Sequence, residues 1–251
     1  MPLTLLVTGA TAGFGEAITR RFIKDGHRVI ATGRRTDRLQ ALKAELGDHV
    51  QTHALDVTDA AAVAALPGSL PLGWQEVDVL VNNAGLALGV LPAQQANIAD
   101  WEIMVATNVA GLMRMTRSLL PGMVERDRGH IINLGSTAAY YPYPGGNVYG
   151  ASKAFVAHFT ANLKADLVGS NVRVTEVAPG LVGGSEFSKV RFGGDAEKAA
   201  AVYAGTTPLS PEDIAETVAW VVNLPAHVNI NMVEMMPTCQ SAGALMIRRK
   251  L

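Results

Sequence analysis

Short, largely apolar runs recur along the chain, and longer segments with helical spacing separate them. Six runs predict strands: Leu3–Val7, Val29–Thr32, Val50–Leu55, Val77–Val81, His130–Leu134 and Val172–Val177. Four longer segments predict helices: Gly15–Lys24, Arg38–Leu46, Trp101–Val124 and Val148–Leu167. The strands do not alternate between apolar and polar residues, which suits a parallel sheet covered on both faces. The sequence therefore predicts an α/β fold, a single doubly wound parallel sheet of the Rossmann type over residues 1–251.

One region departs from this rhythm. Residues 183–207 contain two pairs of glycines and no clear apolar period. Loops of this length are uncommon inside compact domains and often act as lids, so we predict a substrate lid here. After it, Ser210 as N-cap and Pro211 in the first turn predict a helix that ends near Asn223, and Asn229–Met235 predicts a last strand.

Composition excludes several classes of partner. The net charge is −1 and the pI about 6.6, so no general basic field exists to attract nucleic acid or acidic membranes. No run approaches the roughly 20 apolar residues that cross a bilayer, and the N-terminus lacks the pattern of a leader. The single cysteine, Cys239, forms no internal disulfide and fits a reducing compartment. We therefore expect a cytoplasmic protein with no nucleic-acid or membrane partner.

A glycine-rich turn follows the first predicted strand and opens the first predicted helix. Glycines there allow close approach of a pyrophosphate, and the N-terminus of the helix favours its negative charge. A glycine triplet alone is also ordinary turn chemistry, but the strand and helix context favours a dinucleotide. The predicted contacts are Gly9, Thr11, Gly13, Phe14 and Gly15.

Two arginines, Arg34 and Arg35, end the second predicted strand, where an NAD site carries an acid that binds ribose hydroxyls. Guanidinium groups match a 2′-phosphate in charge and fork geometry, and no acid occurs before Asp37. This pattern predicts NADP as the cofactor. The alternative is that both arginines are ordinary solvated charges before a helix.

The third and fourth predicted strands end in further candidate cofactor contacts. Asp56 is placed to accept a hydrogen bond from the adenine amino group, with Val57 beside it, or alternatively it begins the next turn. Asn83, Ala84 and Gly85 would bring polar backbone and small side chains against the cofactor, although these residue types are also common turn chemistry.

Tyr149 and Lys153 lie four residues apart in a predicted helix, so their side chains share one face. A free phenol has a pKa near ~10, and a lysine ammonium beside it favours the phenolate. Behind a nucleotide turn, this pair predicts hydride transfer with proton exchange, and Asn108 and Ser136 complete the candidate site. Each signal alone has a simpler interpretation. Tyr149 and Lys153 could be an ordinary helix face, and Ser136 could be a helix cap.

Two other chemistries lack their motifs. The Gly-x-Ser-x-Gly turn of a serine hydrolase is missing around both Ser136 and Ser185. The six histidines show no metal-ligand spacing, so we expect no metal centre.

Taken in order, these motifs resemble the short-chain dehydrogenase/reductase family, and Pro179-Gly180 after the sixth predicted strand completes the set. The resemblance implies one Rossmann-type domain assembled as a homotetramer. It implies that Tyr149 exchanges the substrate proton and that Lys153 also holds the nicotinamide ribose. It further implies that Ser136 binds the substrate oxygen and that Asn108 holds water linking Lys153 to solvent. Both Tyr149 and Lys153 are then also cofactor contacts, as are Pro179, Gly180 and Val182.

Finer segments resemble the bacterial NADP-dependent 3-hydroxy acid dehydrogenases: Thr8–Arg21, Asn82–Gly89, Leu120–Arg126, Pro142–Tyr149, Pro179–Phe192 and Pro225–Asn231. That resemblance implies oxidation of serine, allo-threonine or 3-hydroxypropionate to the 3-oxo acid or semialdehyde. Arg191, in the predicted lid, would grip the substrate's carboxylate, or else it is a surface charge. Asn147, Tyr141 and Tyr143 would line the pocket beside Ser136 and Tyr149, although the two tyrosines are alternatively packing residues.

Two rival functions stay open at this stage. A sulfoacetaldehyde reductase that forms isethionate would use the same residues on a sulfonate. A non-catalytic NADP-sensing protein typically loses the tyrosine or the lysine, and this chain retains both Tyr149 and Lys153. The sequence does not fix which small acid is preferred or the direction of the reaction. Met232–Met236 and the basic tail Arg248-Arg249-Lys250 are candidates for subunit contacts, or for frayed solvated chain.

Overall fold

Seven parallel strands form one sheet in the computed structural model, which describes residues 2–243. Their bounds are β1 Thr4–Thr8, β2 Arg28–Gly33, β3 Val50–Ala54, β4 Val79–Asn82, β5 Gly129–Leu134, β6 Val172–Pro179 and β7 Met232–Met235. The order across the sheet is β3-β2-β1-β4-β5-β6-β7. The chain starts in the middle, builds outward to β3, and then returns to place β4 on the other side of β1. This confirms the predicted doubly wound, Rossmann-type sheet.

Helices cover both faces of the sheet. Their bounds are α1 Gly13–Lys24, α2 Thr36–Leu46, α3 Ala60–Ser69, α4 Ile98–Met104, α5 Leu112–Glu125, α6 Asn147–Asp166, α7 Phe187–Arg191, α8 Ala196–Ala201 and α9 Pro211–Val222. Successive strand residues point to opposite faces. Leu5 and Val7 of β1 therefore pack with α1, α2 and α9, whereas Leu6 packs with α3, α5 and α6. Both faces of the sheet are buried, which explains why the strands appear in the sequence as apolar runs.

The long predicted helix over Trp101–Val124 is interrupted in the structure. A π-helical segment, Val105–Gly111, separates α4 from α5 and contains Asn108, which is almost completely buried. Such segments are rare and occur frequently at functional sites, because the wider turn changes which side chains face inward. The sequence also failed to predict α3, whose N-cap Asp59 accepts hydrogen bonds from two backbone amides.

Residues 183–207 are more ordered than the sequence indicated. We predicted a loop, but the segment contains the short helices α7 and α8. It then leads into α9, where Ser210 is the N-cap and Pro211 lies in the first turn, as predicted. Ser210 and Asp213 also form a reciprocal capping box. No helix within residues 2–243 combines the length and the apolarity needed to pass through a bilayer. The basic tail Arg248-Arg249-Lys250 lies outside the described residues.

The carboxyl ends of the parallel strands meet at one edge of the sheet. The strand order reverses between β1 and β4, because β2 and β3 lie on one side of β1 and β4 to β7 lie on the other. The connections that leave β1 and β4 therefore diverge, and doubly wound proteins bind ligands in the crevice between them. The segments that follow β1, β2, β4, β5 and β6 contain most of the candidate site residues.

Candidate active site

The turn between β1 and α1 requires glycine for two physical reasons. Gly9 and Gly13 have φ values of +67° and +54°, which side-chain-bearing residues rarely adopt. At Gly15 a Cβ atom would lie 2.4 Å from the carbonyl oxygen of Gly9 and 2.5 Å from Nδ2 of Asn83. The resulting concave backbone at the N-terminus of α1 suits a pyrophosphate.

Hydrogen bonds tie this turn to the end of β4. The Thr8 hydroxyl accepts from the amides of Asn83 and Ala84 at 3.0 and 2.9 Å. In return, Nδ2 of Asn83 donates to the carbonyl of Thr8 at 2.7 Å. The Gly9 turn and Asn83-Ala84-Gly85 therefore form one rigid wall of the crevice.

The structure separates the two predicted phosphate-binding arginines. Arg35 faces the glycine turn and donates to Oγ1 of Thr11 from Nε at 3.1 Å and from Nη2 at 3.0 Å. The Arg34 side chain is 71% exposed and lies 3.9 Å from Asp56. Arg38, which the sequence analysis did not single out, joins Arg35, since both guanidinium groups contact Glu186. The cationic cluster beside the turn is therefore Arg35 with Arg38.

Asp56 and Val57 border the crevice on the β3 side. One carboxylate oxygen of Asp56 accepts from the amide and hydroxyl of Thr58, at 2.9 and 2.8 Å. Burial opposes ionisation, but these bonds outweigh it and lower the pKa of Asp56. Val57 is buried against Gly111, where a Cβ atom would come within 2.7 Å of it. Their contacts with adenine stay predictions.

The four candidate catalytic residues come from three elements and meet beyond the end of β5. Tyr149 and Lys153 lie one turn apart on α6, and both are at least nine-tenths buried. Ser136 follows β5, its hydroxyl accepts from the amide of Ala138 at 3.1 Å, and it lies close enough to Tyr149 to lower the pKa of the phenol. A Cβ atom on Gly85 would be 3.2 Å from Oδ1 of Asn108 and 3.6 Å from Nζ of Lys153, so these two side chains flank Gly85.

Burial is the main influence on the acidity of Tyr149 in the protein alone. Burial raises the pKa of Tyr149 to about 12, and the nearby Ser136 hydroxyl and the charge of Arg191 offset only part of that rise. The Lys153 ammonium donates to the carbonyl of Leu134 at 2.7 Å and lies 5.9 Å from the centroid of the Tyr149 ring. Lys153 is not among the groups that set this pKa in the protein alone, where the phenol keeps its proton at neutral pH. The lowering of the pKa of Tyr149 by Lys153 together with the oxidised cofactor stays a prediction.

Burial also acts on Lys153, lowering its pKa to about 8, although the negative charge of Glu176 opposes the shift. The side-chain amide of Asn108 makes three hydrogen bonds. Its Nδ2 donates to the carbonyl of Leu86 at 2.8 Å and to Oγ of Ser152 at 3.0 Å, and its Oδ1 accepts from the Leu86 amide at 2.9 Å. Asn108 thus fixes the segment after Gly85 against α6, and the water contact stays a prediction.

Arg191, at the end of α7, lies beside Tyr149. Its guanidinium carbon is 5.6 Å from the centroid of the Tyr149 ring and 5.3 Å from that of Tyr143. Nη2 donates to the Tyr143 hydroxyl at 2.9 Å, and Nε donates to the carbonyl of Gly89 at 3.2 Å. Phe187 packs against Tyr149 with ring centroids 5.7 Å apart. The segment 183–207 therefore places the guanidinium of Arg191 beside the candidate catalytic tyrosine.

Asn147 and Tyr141, the other predicted substrate contacts, have hydrogen-bond partners outside this cluster. Nδ2 of Asn147 donates to the carbonyl of Leu91 at 3.1 Å, so its role towards substrate stays a prediction. The hydroxyl of Tyr141 contacts the exposed Glu234 at 3.3 Å, which places it away from Arg191. Of the two tyrosines, Tyr143 is the one at the site.

The segment after β6 anchors the start of the lid. The amide of Gly180 donates to the carbonyl of Met235 at 2.8 Å, and a Cβ atom there would come within 2.2 Å of Oε1 of Gln240. Val182 is buried and pairs with Leu209 in an isolated β-bridge. Pro179, the last residue of β6, precedes this anchor.

A buried carboxylate that sequence reasoning missed lies behind the site. Glu176 is 2% exposed, and it accepts a 2.5 Å hydrogen bond from the Tyr140 hydroxyl through Oε2. Oε1 has no partner within the described residues and occupies the space beside Gly135, where a Cβ atom would be 2.0 Å away. Burial raises the pKa of Glu176, and the opposing influences of Tyr140 and Lys153 do not cancel that rise.

The free energy of unfolding of the Glu176→Gln variant is expected to fall less with rising pH than that of the wild type. Since the folded-state pKa of Glu176 lies above its unfolded value near 4.5, its stabilising contribution is complete below that value and is lost as pH rises through the folded pKa. Glutamine does not titrate. The free energy of unfolding of the variant, relative to wild type, should therefore increase by on the order of 1 kcal/mol between pH 5 and pH 7.

Urea unfolding at the two pH values measures this difference. The control is Glu102→Gln, an exposed carboxylate on α4, for which the difference should not change with pH. Identical pH dependence for Glu176→Gln and wild type would show that Glu176 is not buried as described.

A glycine cradle with paired arginines and a buried Ser–Tyr–Lys cluster define a nucleotide-dependent oxidoreductase site. The chain belongs to the short-chain dehydrogenase family, since the family described as "short chain dehydrogenase" matches residues 3–192. It is 63% identical over 247 residues to the NADP-dependent 3-hydroxy acid dehydrogenase YdfG of Salmonella typhi, which covers 98% of this chain and 100% of that protein.

Two further comparisons agree with this family. Serine 3-dehydrogenase of Rhizobium radiobacter is 49% identical over 247 residues, covering 98% of each chain. A solved structure described as the closed form of serine dehydrogenase complexed with NADP+ has a TM-score of 0.95 and 60% identity, covering 99% of this chain and 100% of that one.

Proposed function

We propose that this chain is an NADP-dependent oxidoreductase that reversibly oxidises the hydroxyl of a small 3-hydroxy acid to the 3-oxo acid or semialdehyde. Serine, allo-threonine and 3-hydroxypropionate are the substrates we infer. The observation that carries the proposal is the position of Arg191 beside Tyr149, 5.6 Å from its ring centroid. The relatives named for 3-hydroxy acids and for serine support it.

Arg191 and the Ser136–Tyr149 pair suit the two ends of such a substrate. A guanidinium binds a carboxylate through two parallel hydrogen bonds. The hydroxyl of a 3-hydroxy acid is on carbon 3, where the carboxylate carbon is carbon 1. When the carboxylate binds Arg191, this hydroxyl is therefore within reach of Ser136 and Tyr149. Phe187 packs beside Tyr149 and helps to exclude water, which strengthens these polar contacts.

The cofactor fits the residues on the opposite side of the crevice. The Gly9–Gly15 turn suits the pyrophosphate, and Arg35 with Arg38 provides cations for a 2′-phosphate. Relatives at 49–63% identity include proteins named as NADP-dependent, and one solved relative contains NADP+. When bound, the oxidised cofactor supplies a hydride acceptor and a positive ring that favours phenolate.

The roles of the protein side chains follow from their geometry. Tyr149 exchanges the proton at the substrate oxygen, and Ser136 hydrogen-bonds the same oxygen. In the reducing direction, a phenol with a raised pKa holds its proton for donation to the carbonyl. Lys153, whose ammonium donates to the Leu134 carbonyl, would hold the nicotinamide ribose and supply positive charge there, and Asn108 keeps the neighbouring backbone in place.

Among the rival functions, sulfoacetaldehyde reduction has no support from the relatives described above. A purely sensing protein is disfavoured because Tyr149 and Lys153 are both present and lie beside Ser136. NADP+ reduction with serine, allo-threonine, 3-hydroxypropionate and isethionate tests the choice. We expect kcat/KM to be highest for a 3-hydroxy acid. The highest kcat/KM with isethionate would instead favour the sulfoacetaldehyde reductase.

We further propose a single domain over residues 1–251 with a lid at residues 183–207, working in the cytoplasm as a homotetramer. The family resemblance supports the assembly. Light scattering of the purified protein should give a mass about four times that of the 26.4 kDa chain. A monomeric mass would contradict the assembly.

Replacing Arg191 by alanine should raise KM for the acid about 10- to 100-fold, because the variant loses a charge-assisted hydrogen bond and its energy corresponds to a factor of this size. kcat should fall much less, because Ser136 and Tyr149 are retained. Steady-state kinetics with serine measure both constants, and Lys189→Ala, an exposed lysine on the same helix, is the control. An unchanged KM in Arg191→Ala would show that Arg191 does not bind the carboxylate.

A further inference from the structure

The lid has an acidic residue at one end of α7 and a basic residue at the other. Glu186 immediately precedes α7, and Arg191 ends it. Arg191 reaches the candidate catalytic tyrosine, as described above. Glu186 extends in the other direction, to the arginine cluster beside the glycine turn. One helical turn of the lid therefore contacts both the cofactor side and the substrate side of the crevice.

Glu186 binds both arginines at close range. Its Oε2 accepts from Nη1 of Arg35 at 2.6 Å, and its Oε1 accepts from Nη2 of Arg38 at 3.0 Å. A third contact joins Nη1 of Arg38 to Oε2 at 3.3 Å. Hydrogen bonds from Arg35 and then from Arg38 lower the pKa of Glu186, so it is a carboxylate at neutral pH. All three side chains are between 40% and 44% exposed, which leaves the cluster accessible to a ligand.

This arrangement places an anion where the proposed cofactor needs cations. Nε and Nη2 of Arg35 donate to Thr11, which leaves Nη1 as the donor aimed at Glu186. A 2′-phosphate is a dianion near neutral pH and requires the same guanidinium donors. If the Glu186 carboxylate stayed between the two guanidinium groups, it would repel the 2′-phosphate. The carboxylate and the phosphate therefore cannot both bind the arginines.

We propose that Glu186 determines cofactor specificity: its carboxylate competes with the 2′-phosphate of NADP for Arg35 and Arg38. The inference rests on the proposed use of NADP. A cofactor that lacks the 2′-phosphate leaves Glu186 paired with the arginines. The phosphate-bearing cofactor displaces the Glu186 carboxylate from the arginines, while Arg191 and Phe187 keep α7 beside Tyr149.

The local backbone permits this release. The start of the lid is fixed by the bond from the amide of Gly183 to the carbonyl of Leu209 at 2.8 Å. Gly184 follows with a φ of +69°, and Glu186 comes two residues later. Rotation of the Glu186 side chain, with adjustment after Gly184, moves the carboxylate without disturbing the sheet.

Calorimetric titration of the purified full chain with NADP+ and with NAD+ tests the proposal. We expect Glu186→Gln to lower the Kd for NADP+ about fivefold, the size of an exposed but multiply bonded ion pair, and to leave the Kd for NAD+ unchanged. The control is Glu197→Gln, an exposed carboxylate in the same segment on α8, which should change neither constant. An unchanged or higher Kd for NADP+ in Glu186→Gln, or an equal gain with NAD+, would overturn the competition.

A further variant separates this inference from the proposed function. Arg35→Ala should remove most of the preference for NADP+ over NAD+ whether or not Glu186 competes. If Arg35→Ala behaves so and Glu186→Gln does not, the inference about Glu186 fails and the use of NADP stands. If Arg35→Ala keeps the full preference, the placement of the 2′-phosphate fails, and the inference fails with it.

Discussion

Tyr149→Phe is expected to lower kcat for oxidation of serine by about a thousandfold. A positioned acid–base group typically contributes a factor of 10²–10⁴, and phenylalanine has no ionisable hydrogen to exchange. The phenyl ring keeps the packing against Phe187, so the site should retain its shape. The Kd for NADP+ should therefore remain within about twofold, because the substitution removes only the hydroxyl.

Steady-state NADP+ reduction and a separate cofactor titration measure the two effects. Tyr141→Phe is a matched control, since it removes a phenol whose hydroxyl contacts the exposed Glu234. We expect wild-type turnover in that variant. Turnover by Tyr149→Phe near the wild-type rate would contradict the role assigned to the phenol.

Lys153→Met should have the second largest effect, a loss of about a hundredfold in kcat/KM with weaker binding of NADP+. Methionine fills a similar volume but removes the ammonium that donates to the Leu134 carbonyl. Its loss deprives the phenolate of a positive charge and leaves that carbonyl without this donor. The control is Lys164→Met, in the last turn of the same helix, which should retain wild-type kinetics.

The pH dependence gives an independent check on Lys153. Its pKa is lowered to about 8 by burial, so the side chain is charged below that pH and becomes neutral above it. If the charge is required, kcat/KM of the wild type should fall on an alkaline limb near pH 8, and Lys153→Met should lack that limb. The same limb in both proteins would assign it to another group.

Sequence alone located the parts of the site that depend on local structure. The glycine turn was predictable because the φ values of Gly9 and Gly13 and the crowding at Gly15 restrict those positions to glycine. Tyr149 and Lys153 were predictable as a pair because helical spacing places them on one face. The strands were found because both faces of the sheet are buried, which leaves apolar runs in the sequence.

Contacts between distant residues were not predictable in this way. Glu186 lies 151 positions from Arg35 and 148 from Arg38, and nothing local to it indicates an arginine partner. Glu176 likewise lies within an apolar strand, and its bond to Tyr140 spans 36 positions. The pKa of Tyr149 in the protein alone was not predictable either, because desolvation depends on the packing of the whole site, which spacing does not reveal.

The physics of helices explains why the sequence did not predict three elements, namely the π-helical segment, α7 and α8. Residues in π and α turns have similar apolar spacing, so Trp101–Val124 looked like one continuous helix although Val105–Gly111 widens it. The lid helices α7 and α8 are too short to show a period, and tertiary contacts such as that of Phe187 with Tyr149 stabilise them.

The central claim is that a 3-hydroxy acid transfers the hydrogen of its hydroxyl-bearing carbon to NADP+ beside Tyr149. Incubation of the protein with NADP+ and serine that carries deuterium at carbon 3, followed by NMR of the reduced cofactor, tests it most directly. We expect deuterium at carbon 4 of the nicotinamide in NADPH. Reduced cofactor without deuterium, or no reduction with any 3-hydroxy acid, would contradict it.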